Sequence, residues 1–101
     1  MSADLLAALI DAGIAADDSE QRSLAIEELS RAPVDQSLAG LGRILRENRD
    51  TRSRRSALEA LMGLPDSPLV REQQRQLLEL LTSDADANMA EAARNAAAAS
   101  S

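Results

Sequence analysis

No phenylalanine, tyrosine or tryptophan occurs in this chain. Aromatic side chains bury the most area each, so a core here must come from Leu, Ile, Val, Met and abundant Ala. At roughly 25 cal/mol per Å² of buried apolar surface, small side chains contribute little individually. Close helix–helix contact has to compensate. Cysteine is absent as well, which excludes disulfides, thiolate metal sites and thiol nucleophiles. Histidine is missing, and with it the commonest general base and the commonest transition-metal ligand. All 11 basic residues are Arg. Without Lys there is no Schiff-base amine and no phosphate-loop lysine. Carboxylates alone remain for acid–base work. The chain therefore reads as a non-enzyme, with no cofactor and no metal.

Long hydrophobic runs are missing too. The segment Asp4-Leu-Leu-Ala-Ala-Leu-Ile-Asp11 is short, flanked by acids and lacks a basic start, so it reads as neither a signal peptide nor a membrane span. The expectation is a cytoplasmic protein without membrane contact. Exclusive use of Arg together with much Ala resembles GC-rich coding and suggests a bacterial source. The 101 residues fit one domain, with 45 % apolar content to support it. Net charge is −6 and the pI is near 4.5. Such an acidic domain is a poor general nucleic-acid binder, because phosphate contact needs a positive face.

What is present is helical periodicity. Leu5, Leu6, Leu9, Ile10 and Ile14 share one broad helical face over residues 3–14. Asp18 or Ser19 caps a second helix, with Gln21 at capping-box spacing from Asp18. That helix ends at Arg31-Ala32-Pro33, since the residue before a proline avoids the helical region. A third begins after Asp35, with Val34 as a staple residue, and ends at Asn48. Gly40 and Gly42 within it point to close approach of a neighbouring helix. Asp50 or Thr51 caps a fourth, which Gly63 stops. Ser67 caps a fifth, with Pro68 at its first position. Thr82-Ser83-Asp84 caps a sixth, Ala85 to Ala99, whose only large apolar side chain is Met89.

These six helices make three antiparallel hairpins, at about 3–31, 34–63 and 67–99, in an all-α domain. The second helices share a pattern. Asp18-x-x-x-Arg22-x-x-Ala25-x-x-x-Leu29 is matched by Asp50-x-x-x-Arg54-x-x-Ala57-x-x-x-Leu61, and more loosely by Asp86-x-x-x-Ala90-x-x-Ala93-x-x-x-Ala97. The small Ala suits a helix crossing, and the Leu one turn later fills the layer. Period and pattern fit an α-solenoid. At these residues the chain resembles the HEAT-repeat family, in its short bacterial form with an Asp-rich turn before Arg-x-x-Ala-x-x-x-Leu. The resemblance implies that Arg22 and Arg54 bridge neighbouring repeats by pairing with Asp18, Asp50 or Asp86. The third copy departs from the pattern at Ala90 and Ala97, and reads as a degenerate cap or a false repeat. The alternative architecture is an irregular helical bundle.

Two surfaces stand out. Arg43, Arg46, Arg49, Arg52, Arg54 and Arg55 crowd the end of helix three and the start of helix four. Arginine suits bidentate contact with carboxylates or phosphates. Of these, Arg43, Arg46, Arg49, Arg52 and Arg55 are the candidate partner-binding residues. Against this stands a plainer reading, in which Arg43, Arg46 and Arg49 complement a helix C-terminus, Arg54 bridges internally and the others are solvated. The second surface is apolar: a thin last helix leaves Leu77, Leu80, Leu81 and Met89 as a candidate interface, including one for a homodimer. The stretch Asp84-Ala-Asp86-Ala-Asn88 mimics the start of a calcium loop. Met89 and Asn95 stand where that loop needs Gly and Glu, so it reads as a capping turn. The function expected is a non-catalytic adaptor, scaffold or regulatory module that binds an acidic surface or helix of a protein partner. The alternative is nucleic-acid or phosphate-group binding through the Arg43–Arg55 edge.

Overall fold

Short polar caps set the helix boundaries. Ser2 Oγ accepts from Leu5 N at 3.2 Å, which starts α1 (Ala3–Ala15). Asp18 accepts from Glu20 N at 2.9 Å at the head of α2 (Ser19–Ser30). Asp50 accepts from Ser53 N at 2.9 Å and from the Ser53 hydroxyl at 2.8 Å at the head of α4 (Thr51–Met62). Ser67 Oγ accepts from Val70 N at 3.2 Å, with Pro68 opening α5 (Pro68–Thr82). Each cap satisfies an amide that the first helical turn leaves unpaired. A computed structural model describes residues 2–100, and the described residues hold these helices together with α3 (Val34–Glu47) and α6 (Ala87–Ser100).

Two boundaries differ from the sequence reading. Helix α3 starts at Val34 rather than after Asp35. The Pro33 carbonyl accepts from both Gln36 N and Ser37 N at 2.9 Å, so the helix is entered without a side-chain cap and Val34 lies inside it. Asp35 then sits in the first turn, where the helix dipole favours a negative charge. Helix α6 begins at Ala87, not Ala85. Asp86 caps it, accepting from Asn88 N at 2.9 Å, because Asp84 is engaged elsewhere. Gly63 does close α4, but with φ −87°, in the ordinary right-handed region.

Each helix packs on the one that follows it in its hairpin: α1 on α2, α3 on α4, α5 on α6. The odd-numbered helices also contact in order, α1 on α3 and α3 on α5, and the even-numbered ones likewise, α2 on α4 and α4 on α6. The result is two helix layers in a flat body of 35 × 29 × 16 Å. One continuous core runs between the layers from Ile10 to Ala93, with Leu29, Leu41, Ile44, Leu45, Leu61, Leu81 and Met89 sealed from solvent.

Close approach replaces bulk, as the missing aromatics require. Gly13 is buried, and a Cβ placed on it would lie 2.5 Å from Ile44 Cδ1, so α1 crosses α3 at this point. A Cβ on Gly40 would lie 2.9 Å from Leu29 Cδ2 and 3.3 Å from Ile10 Cγ1. On Gly42 the nearest atoms would be 3.6 Å or more away, an ordinary contact, so the close-approach reading holds for Gly40 but not for Gly42. Ala25, Ala57 and Ala93 are all buried, at matching positions of α2, α4 and α6. Asn48, at the end of α3, donates from Nδ2 to the Gly13 carbonyl at 2.8 Å and ties the second turn to α1.

Candidate interaction edge

The turns that join α1 to α2, α3 to α4 and α5 to α6 lie along one edge of the slab. Arginines on the even-numbered helices lace them together. The Arg22 guanidinium donates from Nη1 to the Ala16 carbonyl at 2.5 Å and the Asp17 carbonyl at 3.2 Å, both in the first turn. Its Nε donates to Ser53 Oγ at 2.9 Å, and Nη2 lies 3.8 Å from Asp50 Oδ2, at the second. Asp50 is held below the usual carboxylate range, first by the Ser53 hydroxyl and amide and then by the field of Arg22.

Arg54 repeats this arrangement one hairpin on. It is 8 % exposed. Its Nε donates to the Leu45 carbonyl at 3.0 Å, and Nη1 and Nη2 form a two-pronged bridge to Asp84, the Nη1 contact being 3.0 Å. This bond holds the Asp84 carboxyl below its ordinary value and raises Arg54 above its own. Beside it, the Thr51 hydroxyl donates to Asp86 and lowers that carboxyl as well. Arg22 therefore meets Asp50, one of the aspartates expected, whereas Arg54 pairs with Asp84, two residues before the expected Asp86.

The six arginines of the expected edge do not act alike. Arg54 is an internal bridge. Arg43 is taken by Glu47, with Nε–Oε2 at 2.6 Å and Nη2–Oε1 at 3.1 Å, and each raises or lowers the other in the expected sense. Arg46, Arg49, Arg52 and Arg55 are exposed and form no ion pair among the described residues. Among the described residues six arginines are ion paired, namely Arg22, Arg31, Arg43, Arg54, Arg71 and Arg75. Of the remaining five, four lie between Arg46 and Arg55, and the fifth is Arg94. The four form two pairs. Arg46 and Arg49 flank a shallow cleft of about 600 Å³ against Asp84, Ala85 and Asp86 of the third turn. Arg52 and Arg55 lie on α4 with Thr51, Ser56 and Glu59.

The expected apolar interface is largely interior. Leu77, Leu81 and Met89 are 6 %, 1 % and 0 % exposed, and only Leu80 stands out at 53 %. The reason is the alanine content of α6: with Ala90 and Ala93 buried beneath it, the helix settles close onto α5 and drives Met89 into the core. Sequence reasoning missed a different feature, an apolar groove of about 340 Å³ over Leu78, Thr82 and Ala97, rimmed by Arg71, Gln74 and Arg75. Its signal was in the pattern: Ala97 stands where α2 and α4 carry Leu29 and Leu61, both fully buried. The rim charges are already matched, Arg75 with Glu72 and Glu79 and Arg71 with Asp66, and hydrogen bonds from Arg75 and Gln76 bring Glu72 down to about 2.

Among the described residues no cluster of three or more carboxylates is placed to hold a metal ion, and no helix is long and apolar enough to cross a membrane. Comparison with protein-family models, with curated proteins and with solved structures finds no match.

Proposed function

We propose that this chain is a non-catalytic protein-binding module, a short HEAT-like α-solenoid whose turn-lined edge docks an acidic surface or helix of a partner. The observation that carries this reading is the set of unpaired arginines, Arg46, Arg49, Arg52 and Arg55, concentrated in one hairpin of a chain with net charge −6. Arg52 and Arg55 lie in the first turns of α4, where the helix dipole opposes a cation, whereas Arg46 lies in the last turn of α3, where the dipole favours one. Guanidinium groups held this way suit carboxylate recognition. The α-solenoid reading is supported by the repeated use of an Asp cap with an Arg four residues on, which links α2 to α4 and α4 to α6.

A protein partner fits better than nucleic acid. Glu47, Asp50, Asp84 and Asp86 are interleaved with the arginines and would repel a continuous phosphate backbone. The test compares wild type with an Arg46→Glu/Arg49→Glu/Arg52→Glu/Arg55→Glu variant. Both are used as bait in native lysate, and circular dichroism confirms equal folding. The reading expects a protein retained by wild type and lost from the variant. A partner captured equally by both, or nucleic acid alone on wild type, would sink it.

A further inference from the structure

We propose that the turn-lined edge is self-complementary, and that two copies of the chain pair through it about a two-fold axis. In this pairing Asp17 and Asp18 of each copy face Arg46 and Arg49 of the other. The inference rests on the reading of the Arg edge as a binding surface and names a second copy as one occupant, one that would mask the edge until an acidic partner displaces it.

The charge distribution carries the argument. Residues 1–32 hold seven carboxylates and two arginines, while residues 33–63 hold four carboxylates and six arginines. The excess negative charge and the excess positive charge thus lie on adjacent hairpins. Of these charges, Asp17 and Asp18 lie at the first turn and Arg46 and Arg49 at the second, and Arg22 joins the two turns: it bonds the Ala16 and Asp17 carbonyls on one side and Ser53 and Asp50 on the other.

Both turns keep unspent charge at the surface. The Asp17 side chain is exposed and makes no ion pair among the described residues. Asp18 is exposed and uses one oxygen to cap α2. Arg46 and Arg49 are exposed and form no ion pair among the described residues. In the third turn Asp84 is paired with Arg54, while Asp86 accepts from the neutral Thr51 hydroxyl and keeps its charge. The first two turns therefore set exposed carboxylates, Asp17 and Asp18, beside exposed guanidinium groups, Arg46 and Arg49, the latter with Asp84 and Asp86 across the cleft. A negative patch next to a positive patch on one flat edge is the simplest self-complementary pattern. Rotating a copy by half a turn about an axis between them sets each patch against its opposite. That is the requirement of a closed, isologous pair.

Exposed ion pairs are individually weak and strongly screened, so the association expected is reversible and salt-sensitive. The experiment is sedimentation velocity on the full chain over a concentration series at about 20 mM and about 500 mM NaCl, roughly a Debye length of 20 Å against 4 Å. At low salt the average mass should climb from the 10.7 kDa of one chain toward twice that value, and at high salt it should return to one chain. Asp17→Arg and Arg49→Glu involve side chains that make no bond in the fold, so both variants should fold as wild type does. Each alone should weaken association at least tenfold. An equimolar mixture of the two, and the Asp17→Arg/Arg49→Glu double variant, should both restore it, because each swap re-creates an opposite-charge pair. Wild type that stays at one chain mass in low salt would overturn the proposal. So would single variants that associate as wild type does, or mass that grows past two chains without limit. A parallel titration with poly-glutamate on dilute wild-type protein separates the two claims. Poly-glutamate binding that is lost in Arg49→Glu, with no self-association, leaves the Arg edge standing and removes the self-pairing alone.

Discussion

Arg54 and Arg55 are neighbours in sequence with identical side chains, yet the structure assigns them opposite worth. Arg54 is buried, donates to the Leu45 carbonyl and clasps Asp84, whereas Arg55 is exposed and unpaired. Truncating Arg54 would orphan a carbonyl and leave a carboxylate whose side chain is only 19 % exposed. Breaking a fully buried pair from one side costs about 3–5 kcal/mol. Asp84 keeps some contact with solvent, so we expect about 2–3 kcal/mol for Arg54→Met, which retains most of the stem. For a domain of this size that is a fall of roughly 10–20 °C in Tm. Arg55→Met should change stability by no more than about 0.5 kcal/mol. Urea unfolding followed by circular dichroism measures both. The cycle with Asp84→Ala isolates the pair: the double variant leaves no unpaired charge, so the coupling should exceed about 1 kcal/mol. A coupling under about 0.5 kcal/mol, or equal losses at 54 and 55, would show the bridge to be an ordinary surface pair and refute the reasoning.

The other expectations follow from burial and packing. Gly42→Ala should stabilise by roughly 0.5–1 kcal/mol through helix propensity, since a Cβ there meets only ordinary contacts. Gly40→Ala should destabilise, because overpacking against Leu29 costs about 1–3 kcal/mol; thermal melts of the two variants should move in opposite directions. Met89→Ala should cost about 2–5 kcal/mol as a sealed core truncation, while Leu80→Ala on the same expected patch should stay within about 0.5 kcal/mol. Asp84 also predicts a pH response. Its folded pKa lies below the ordinary 3.8, so the bridge stabilises fully above that value and is lost as pH falls through the lower folded one. Asp84→Asn should therefore be less stable than wild type at neutral pH, and the gap in urea midpoint should narrow below pH 3.8.

What the sequence disclosed depended on how local each determinant was. Helix starts are local, and Ser67-Pro68, Asp18 and Asp50 cap as their residue types require. The start of α6 was misplaced because Asp84 and Asp86 are both good caps. The choice between them is made by Arg54, thirty residues earlier in the chain, which claims Asp84 and leaves Asp86 to the helix. Burial of Met89 was hidden for a similar reason. A helix of alanines looks too thin to cover its neighbour, but Ala90 and Ala93 let it come close enough to do so. Gly13 shows the converse: glycine is a poor helix former, whereas in space Gly13 is the point at which Ile44 fits.

The arginine edge follows this logic to its functional end. Spacing marked Arg22 and Arg54 as equivalent, and both do bridge turns. Arg43 is spent on Glu47 four residues along its own helix, an i,i+4 pairing that was open to the sequence but that the reading of the six as one edge did not weigh. Removing Arg43 and Arg54 from the six leaves four that form no ion pair among the described residues, Arg46 among them in the last turn of α3. On the proposed reading, a cation outside the fold's ion pairs, repeated four times in ten residues of an acidic chain, serves to meet a carboxylate from elsewhere. On that reading, whether the carboxylate belongs to another protein or to a second copy is a question of competition at one edge, decided by which presents the denser negative charge.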